Sequence, residues 1–594
     1  MCGIAGWFGQ SPFGDAEKLK RALQNRGPDG SGVWQGKLAT LVHTRLSILD
    51  LSEAAQQPMS WQAEATGRCC VLVFNGEIYN FRELRRELED QGETFHSDGD
   101  TEVLLRLLAR EGEGCIPKLA GMFAFAFWDE ASGEALLARD AYGIKPLYIR
   151  EEANGLLAFG SEARILQKAD DEVDHEALRD YFLWGSVQEP RTLHSAIRSL
   201  PAGHLLHWKD GKSKVSRWHR VQSAANAGSN ARRARTEAAT IARQALEESV
   251  ARHLVSDVPV GVFLSGGIDS TVVLALTRQI LGADADIRTF SIGFDDPEFD
   301  ESSLAKRTAD HFRTSHTEWR MTPEEGAAEI PRFLESMDQP GIDGFNTWCV
   351  SKLAHREGMK VVLSGLGGDE FFGGYRSFER VPRFRHFHRF SGPLRSAFAG
   401  RLERSAPGSP WRRLGEFLRS EGSWQGAYHV QRGIFTQAEA IQLTRALTGH
   451  EAGKASFGGI PDFLAGREAV GWLETTYYMR NQLLRDSDIY SMAHGLELRV
   501  PLVDDRLANA VAAIPYRERL RRGKGLLLDA VPEIPAWIRQ QPKRGFRFPF
   551  QRWVEGSFGD LLQRSQTASP VPLGTWYRTW AVAAARKSLG LEPS

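Results

Sequence analysis

Cysteine stands at position 2, followed by Gly-Ile-Ala-Gly6, and its small side chain suits enzymatic removal of Met1. The mature chain would then begin with a thiol beside a free α-amine, and an amine with a pKa of about 8 can act as base for its own side chain. A second group, Ser265-Gly-Gly-Ile-Asp-Ser270, offers consecutive backbone N–H groups and two hydroxyls, a surface suited to a phosphate chain. Asp269 in that turn would repel phosphate unless a cation lay between them, so the loop implies Mg²⁺. Each feature alone has a plainer reading: an inert second-position cysteine, and a glycine turn capped by serine. The Walker pattern G-x-x-x-x-G-K-[ST] is absent, which disfavours a kinase or a γ-phosphate hydrolase.

Elements of the right kind must position these groups. Residues 70–74, 122–128 and 134–138 are short apolar runs between turn residues, as buried strands are, and 81–91 and 101–110 carry apolar residues at helical spacing. Around 209–236 the chain turns small, polar and basic with no apolar face, the texture of a linker. Beyond it a helix at 238–254 leads into a Val-rich strand at 258–264, and the Ser265 turn joins that strand to a helix rich in Val, Leu and Ala. Further strands are expected at 287–293 and 360–363. Strands alternating with helices imply a parallel α/β sheet that binds ligands at the C-terminal ends of its strands. The expected division is 1–209, a linker over 210–236, a nucleotide domain over 237–575 and a tail over 576–594.

The bulk properties fit small-molecule chemistry. With 594 residues, 42% hydrophobic and 25% charged, the chain has the balance of an ordinary globular protein of two or three domains. A net charge of -1 gives no footprint for nucleic acid or an anionic membrane. Cys2, Cys69, Cys70, Cys115 and Cys349 are odd in number and form neither a zinc pattern nor a disulfide framework. With no secretory signal and no apolar run long enough for a bilayer, a cytoplasmic protein is expected. The sequence does not fix an oligomeric state; a homodimer is compatible with it.

Five pieces in order, Cys2-Gly-Ile-Ala-Gly6, Arg26-Gly-Pro-Asp29, His43-Thr-Arg-Leu-Ser-Ile48, Phe74-Asn-Gly-Glu-Ile-Tyr-Asn80 and Ser97-Asp-Gly-Asp-Thr-Glu102, resemble the class II glutamine amidotransferases over most of the first 200 residues. That resemblance implies an N-terminal-nucleophile αββα sandwich in which Cys2 attacks the glutamine amide. It makes Asn75 and Gly76 the oxyanion hole and Arg45 the grip on the glutamine α-carboxylate, with Ile48 beside it. Asp100, helped by Glu77, would meet the α-amino group, with Asp98 as a rival. Taken singly, Arg45 reads equally as a surface ion pair, Asn75-Gly76 as a hairpin turn and Asp100 as a helix cap.

The Ser265 loop resembles the PP-loop ATP pyrophosphatases, which cleave ATP to AMP and pyrophosphate. Together with Leu363-Ser-Gly-Leu-Gly-Gly-Asp-Glu-Phe-Phe-Gly-Gly-Tyr375, Leu484-Arg-Asp-Ser-Asp488, Glu497-Leu-Arg-Val-Pro-Leu-Val-Asp504 and Pro542-Lys-Arg-Gly-Phe546, it resembles the synthetase half of glutamine-hydrolysing asparagine synthetases. That implies a doubly wound parallel sheet with a helical C-terminal portion, and ATP and Mg²⁺ as cofactors. ATP would lie on Leu264, Ser265, Gly266, Gly267, Asp269, Ser270, Ile292, Ser364 and Gly365, with Asp269 and Asp369 on the metal and Lys543 over the α-phosphate. Glu497 and Arg499 read as a structural ion pair.

One position departs from that family. Where asparagine synthetases carry Glu in Ser-Gly-Glu-Gly, this chain has Leu366, which neither accepts a proton nor binds an ammonium group. Leu366, Asp369, Glu370 and Tyr375 are therefore the residues expected to set the acceptor. The expected reaction is amidation of aspartate through an acyl-adenylate, with ammonia from glutamine. The alternatives are the same chemistry on a sugar acid or peptide carboxylate, and a regulatory homologue without catalysis.

Overall fold

The computed structural model describes residues 2–63, 67–219, 231–296, 298–390, 392, 395–456, 459–541, 549, 551–553 and 559–591. Two six-stranded antiparallel sheets form the N-terminal half. One runs in the order Ile197–Ser199, Tyr148–Glu151, Leu157–Gly160, Gly3–Phe8, Ala39–Arg45, Gly30–Gln35. The other runs Lys212–Arg217, His204–Lys209, Glu134–Arg139, Gly121–Asp129, Cys69–Ile78, Met59–Gln62. Strand periodicity sorts the side chains between layers. In Gly121–Asp129, Phe123, Phe125 and Phe127 pack beneath the helices Phe81–Glu89 and Asp100–Glu111, while Ala124, Ala126 and Trp128 face the first sheet. The helix Ala16–Ala22 covers that sheet's outer face through Leu19, against Ala5 and Val42. The layers are thus helix, sheet, sheet, helix, the N-terminal-nucleophile sandwich.

The composition shift at 209 falls inside a hairpin, because Lys212–Arg217 pairs with His204–Lys209 and extends the second sheet. The next helix, Ala231–His253, leads into a five-stranded, all-parallel sheet in the order Ser315–Met321, Arg288–Phe294, Val260–Phe263, Val361–Leu363, Glu497–Arg499. The order reverses beside Val260–Phe263, so its neighbour Val361–Leu363 opens the crevice where doubly wound sheets hold ligands. The loops that follow these two strands are Leu264–Gly267 and Ser364–Gly367.

A helical layer completes the fold. A single continuous helical stretch passes through Gly466–Leu473, then a π-helical run Glu474–Leu484, then Arg485–Met492. The residues from 576 form the helix Trp576–Ser588, whose Trp580 and Ala581 are buried, and Tyr181 of the N-terminal half donates to the Ala581 carbonyl at 2.9 Å. That segment is packed core and not a loose tail. Among the described residues, no helix is long and apolar enough to cross a membrane.

Candidate active sites and the strand between them

Cys2 sits at the head of strand Gly3–Phe8, nearly buried, with Thr44 of the neighbouring strand opposite Gly3. A Cβ on Gly3 would lie 2.6 Å from Thr44 Oγ1 and 2.9 Å from Leu23 Cβ, so only glycine lets the chain reach this position. The Cys2 backbone nitrogen, which loss of Met1 would make the α-amine, donates to Asn75 Oδ1 at 3.1 Å. Asn75 is fully buried, and its Nδ2 has no partner among the described residues. A buried donor left without a partner is what an oxyanion hole requires. At Gly76 an added Cβ would stand 2.1 Å from the Met122 carbonyl oxygen, so the backbone there lies flat against the next strand.

The surrounding charges are buried as well. Burial raises the Cys2 thiol pKa, opposed by the chain terminus, a backbone contact at Leu46 and the Arg45 charge. Arg45 donates from Nη1 to the Ser52 carbonyl at 2.9 Å and from Nη2 to the Asp50 carbonyl, and pairs with no carboxylate among the described residues. Asp100 Oδ2 accepts from the Ile78 N–H at 2.8 Å; burial, with help from Glu497, pushes its pKa up to about 6. The Asp98 side chain points to solvent, 94% exposed, so of the two acids only Asp100 faces inward. Ile48 packs with Leu46 against Val361 and Met492 of the second half.

The nucleotide crevice is built from glycines that let two loops nest. A Cβ on Gly365 would lie 2.6 Å from the Ser270 nitrogen, and one on Gly368 would lie 2.3 Å from Asp269 Oδ1. Ser265 and Ser270 share a hydroxyl contact of 3.0 Å across the turn into the helix Ile268–Leu281. Leu264, at the start of the loop after Val260–Phe263, and Ile292, on the neighbouring strand Arg288–Phe294, are both buried. Asp269 and Asp369 converge on the ammonium of Lys524, which reaches Asp369 Oδ1 at 2.6 Å and contacts Asp269 as well. Lys524 is 3% exposed, and although burial alone would lower its pKa, the two carboxylates raise it.

Two carboxylates within reach of one cation fit Mg²⁺, which takes one or two protein carboxylates and completes its shell with phosphates and water. Lys543 lies outside the described residues. Leu366 is half-buried against the core. Glu370 accepts the Tyr375 hydroxyl at 2.9 Å, and burial together with the Asp369 charge pushes its carboxyl up to about 8.

One short strand touches both sites. Arg499 Nε donates to Glu497 Oε1 at 2.5 Å and Nη2 lies 3.2 Å from Glu77 Oε1, while the Arg499 carbonyl accepts from the Ser364 N–H at 2.8 Å. The ion pair expected of Glu497 and Arg499 is therefore present, and Arg499 also reaches Glu77 of the N-terminal half. Burial opposes the charge on Glu497, but the chain terminus, Arg499 and Lys145 hold its pKa down to about 2. A second buried link joins Arg26 Nη2 to Asp488 at 2.7 Å, with Arg26 Nε donating to the Cys2 carbonyl at 3.3 Å. Sequence reasoning did not find Lys524 or the Arg26–Asp488 link. The only signal for the latter was that Arg26 and Asp488 each fall in a family-like motif.

Comparison with known proteins gives two family matches, a glutamine amidotransferase domain over residues 1–219 and asparagine synthase over residues 242–588. Asparagine synthetase [glutamine-hydrolyzing] 1 of Bacillus subtilis is 32% identical over 96% of this chain and 90% of its own length. Asparagine synthetase [glutamine-hydrolyzing] 3 of the same organism is 29% identical over 90% and 84%. Asparagine synthetase B [glutamine-hydrolyzing] of Escherichia coli is 34% identical over 63% of each chain.

Proposed function

Because the chain belongs to the asparagine synthase family, ATP-dependent ligases with a glutamine amidotransferase domain in front, we propose that it makes asparagine from aspartate, ATP and glutamine. The Cys2 thiol attacks the glutamine amide carbon while the α-amine takes the thiol proton. Asn75 Nδ2 and the Gly76 N–H stabilise the oxyanion, and ammonia leaves as the glutamyl thioester forms. Arg45 meets the α-carboxylate with its planar fork, and Asp100 and Glu77 meet the α-ammonium. Water then hydrolyses the thioester and frees Cys2.

At the other end, the Ser265–Ser270 turn cradles the pyrophosphate of ATP and the Ser364-Gly365 loop lies along the nucleotide. Asp269 and Asp369 would hold Mg²⁺, which when bound neutralises charge on the phosphates. Lys524 lies between these carboxylates and adds a fixed positive charge where the pyrophosphate leaves. The aspartate β-carboxylate attacks the α-phosphorus, and ammonia then attacks the acyl carbon, with AMP as leaving group.

The observation that carries this reading is the strand Glu497–Arg499, bonded on one side to the nucleotide loop through Ser364 and on the other to Glu77. It gives two chemically different sites one common support. Leu366 favours a second reading, in which the acceptor is a sugar acid or a peptide carboxylate. One assay separates the two: pyrophosphate release from ATP, Mg²⁺ and glutamine with and without L-aspartate, with mass analysis for asparagine. Aspartate-dependent pyrophosphate with matching asparagine supports the first reading. Glutamine hydrolysis without aspartate-dependent pyrophosphate moves the search to another carboxylate.

A further inference from the structure

The helical layer holds a cavity of about 370 Å³ that none of the sequence motifs explains. Trp184, Asp343, Tyr428, Arg432, Tyr478 and Gln482 line it. Arg432 is held in a fixed pose: its guanidinium carbon stands 4.2 Å from the Tyr375 ring centroid and 3.9 Å from that of Tyr478. Its Nη2 and Nε donate to Glu474 at 2.8 and 3.3 Å. Glu474 is fully buried and is itself fixed by Ser377 and by the Tyr428 hydroxyl at 2.9 Å. Arg432 Nη1 has no partner among the described residues, and the side chain keeps 23% of its exposure. A planar donor locked by two rings and a buried carboxylate, with one N–H edge open, is a prepared anion site.

Asp343 lines the same cavity. One of its oxygens accepts from the Gly344 N–H at 2.8 Å; the other has no partner among the described residues. Arg432 and Asp343 are not paired with each other; burial raises the Asp343 pKa, and the Gly344 N–H and the nearby Arg432 charge oppose that rise. An arginine with one N–H edge open and a carboxylate with one oxygen open, in one cavity and kept apart, match a ligand that carries both charges.

Glu474, Tyr478 and Gln482 belong to the π-helical run, a rare geometry that recurs at functional sites. Tyr375 joins the cavity to the reacting end, since its ring lies under Arg432 while its hydroxyl donates to Glu370, the neighbour of Asp369.

We infer that Arg432 and Asp343 form a clamp for the head group of a free α-amino acid acceptor, Arg432 taking the α-carboxylate and Asp343 the α-ammonium, in place of the charge that Leu366 does not supply. The inference rests on the amidotransferase reading and narrows its acceptor to one chemical class.

The test uses the full-length protein and four acids. L-Aspartate carries both head-group charges, succinate lacks the amine, β-alanine lacks the α-carboxylate, and D-glucuronate is a hydroxylated acid with no amine. In wild-type protein, pyrophosphate release should favour L-aspartate over succinate and over β-alanine by about 30-fold or more in kcat/KM. Arg432→Met should raise the KM for L-aspartate by about 30- to 100-fold and erase the preference over β-alanine alone, whereas Asp343→Asn should erase the preference over succinate alone. A purely structural role would lower all four rates together and leave the ratios unchanged. That result overturns the clamp, and so does D-glucuronate driving pyrophosphate release where L-aspartate does not.

Failure of the amidotransferase reading itself would appear as absent glutamine hydrolysis with no acid-dependent pyrophosphate. Saturation-transfer NMR of L-aspartate, read without turnover, still decides the clamp in that case. A transfer signal that is present with wild-type protein and disappears with Arg432→Met upholds it. No signal with wild-type protein, or equal signals with both, overturns it.

Discussion

The two ends of the molecule solve the same problem, holding charged groups out of water, in different ways. At Cys2 the parts come from strands of two facing sheets and a helix beside them, and glycines at 3 and 76 bring backbones closer than any side chain would allow. The proposed groups there either rest on backbone, as Asn75, Arg45 and Asp100 do, or pair with the second half, as Glu77 does. At the nucleotide crevice the parts are loops from separate strands, whose carboxylates converge on a lysine that arrives from far along the chain. Sheet-built sites constrain the backbone and so leave motifs in the sequence. Sites closed by long side chains constrain only the far end of the chain, and leave fewer.

Removing the group on which the first end depends should have the largest effect. Cys2→Ala should lower glutamine hydrolysis by about 10³-fold or more, because the proposed thioester forms on that thiol. Pyrophosphate release driven by ammonium chloride and L-aspartate should persist. If both activities fell together, the two ends would not be separable sites.

Next in size is Lys524→Met. Deleting its ammonium leaves Asp269 and Asp369 buried against each other, so pyrophosphate release should fall by about 100-fold while glutamine hydrolysis continues. A thermal melt should show lower stability without Mg²⁺ and partial recovery when Mg²⁺ is added, since the metal can take the place of the lost charge. Equal melts with and without Mg²⁺ would contradict the assignment of the two carboxylates to a cation site.

The contrast in legibility follows from the same difference. The apolar run 122–128 reads as a buried strand and is one, with Phe123, Phe125 and Phe127 toward the helices and Ala124, Ala126 and Trp128 toward the first sheet. The turn at Ser265 reads equally well, because a Cβ on Gly266 would lie 2.9 Å from Leu304 Cβ and one on Gly365 of the facing loop 2.6 Å from the Ser270 nitrogen, so neither position has room for a side chain. Two of the five parallel strands did not show. Ser315–Met321 lies at the sheet edge and is polar, and Glu497–Arg499 is three residues long with both charges buried by ion pairs. Lys524 sits in the basic run Arg521-Arg-Gly-Lys524, where a solvated lysine is the natural reading. Only the arrival of Asp269 and Asp369 from elsewhere in the chain makes it a buried cation. Arg432 was hidden in the same way, since its stacking partners Tyr375 and Tyr478 are 57 and 46 positions away (432 − 375 and 478 − 432).

A smaller effect tests the electrostatics of the first end. Asp100 has its folded pKa raised to about 6, so it loses its charge as pH falls through that value and not near 4 as a solvated aspartate would. An uncharged carboxyl no longer attracts the glutamine α-ammonium. The KM for glutamine should therefore be flat above pH 7 and rise by up to about tenfold per unit below pH 6, with kcat less affected. Asp100→Asn should remove this dependence and leave a KM that is high at every pH. A wild-type profile that stayed flat down to pH 5 would place the amino-group contact elsewhere.

The smallest expected effect is the most informative about the second end. Leu366→Glu restores the family's carboxylate beside an acceptor site that, with Arg432 and Asp343 as the clamp, already carries a complete pair of head-group charges. The new acid would enter a half-buried position packed against the core, near the already crowded carboxyls of Asp369 and Glu370. Burial and like charge both oppose its ionisation, so it would be largely neutral at pH 7 and add little attraction for an ammonium group. The KM for L-aspartate should change by less than about threefold, and stability should fall slightly. A gain of tenfold or more would mean that the native site lacks a charge the substrate needs. The Arg432–Asp343 pair would then be a structural feature of the helical layer, and the nucleotide end would be incomplete for aspartate in a way that the Cys2 end is not for glutamine.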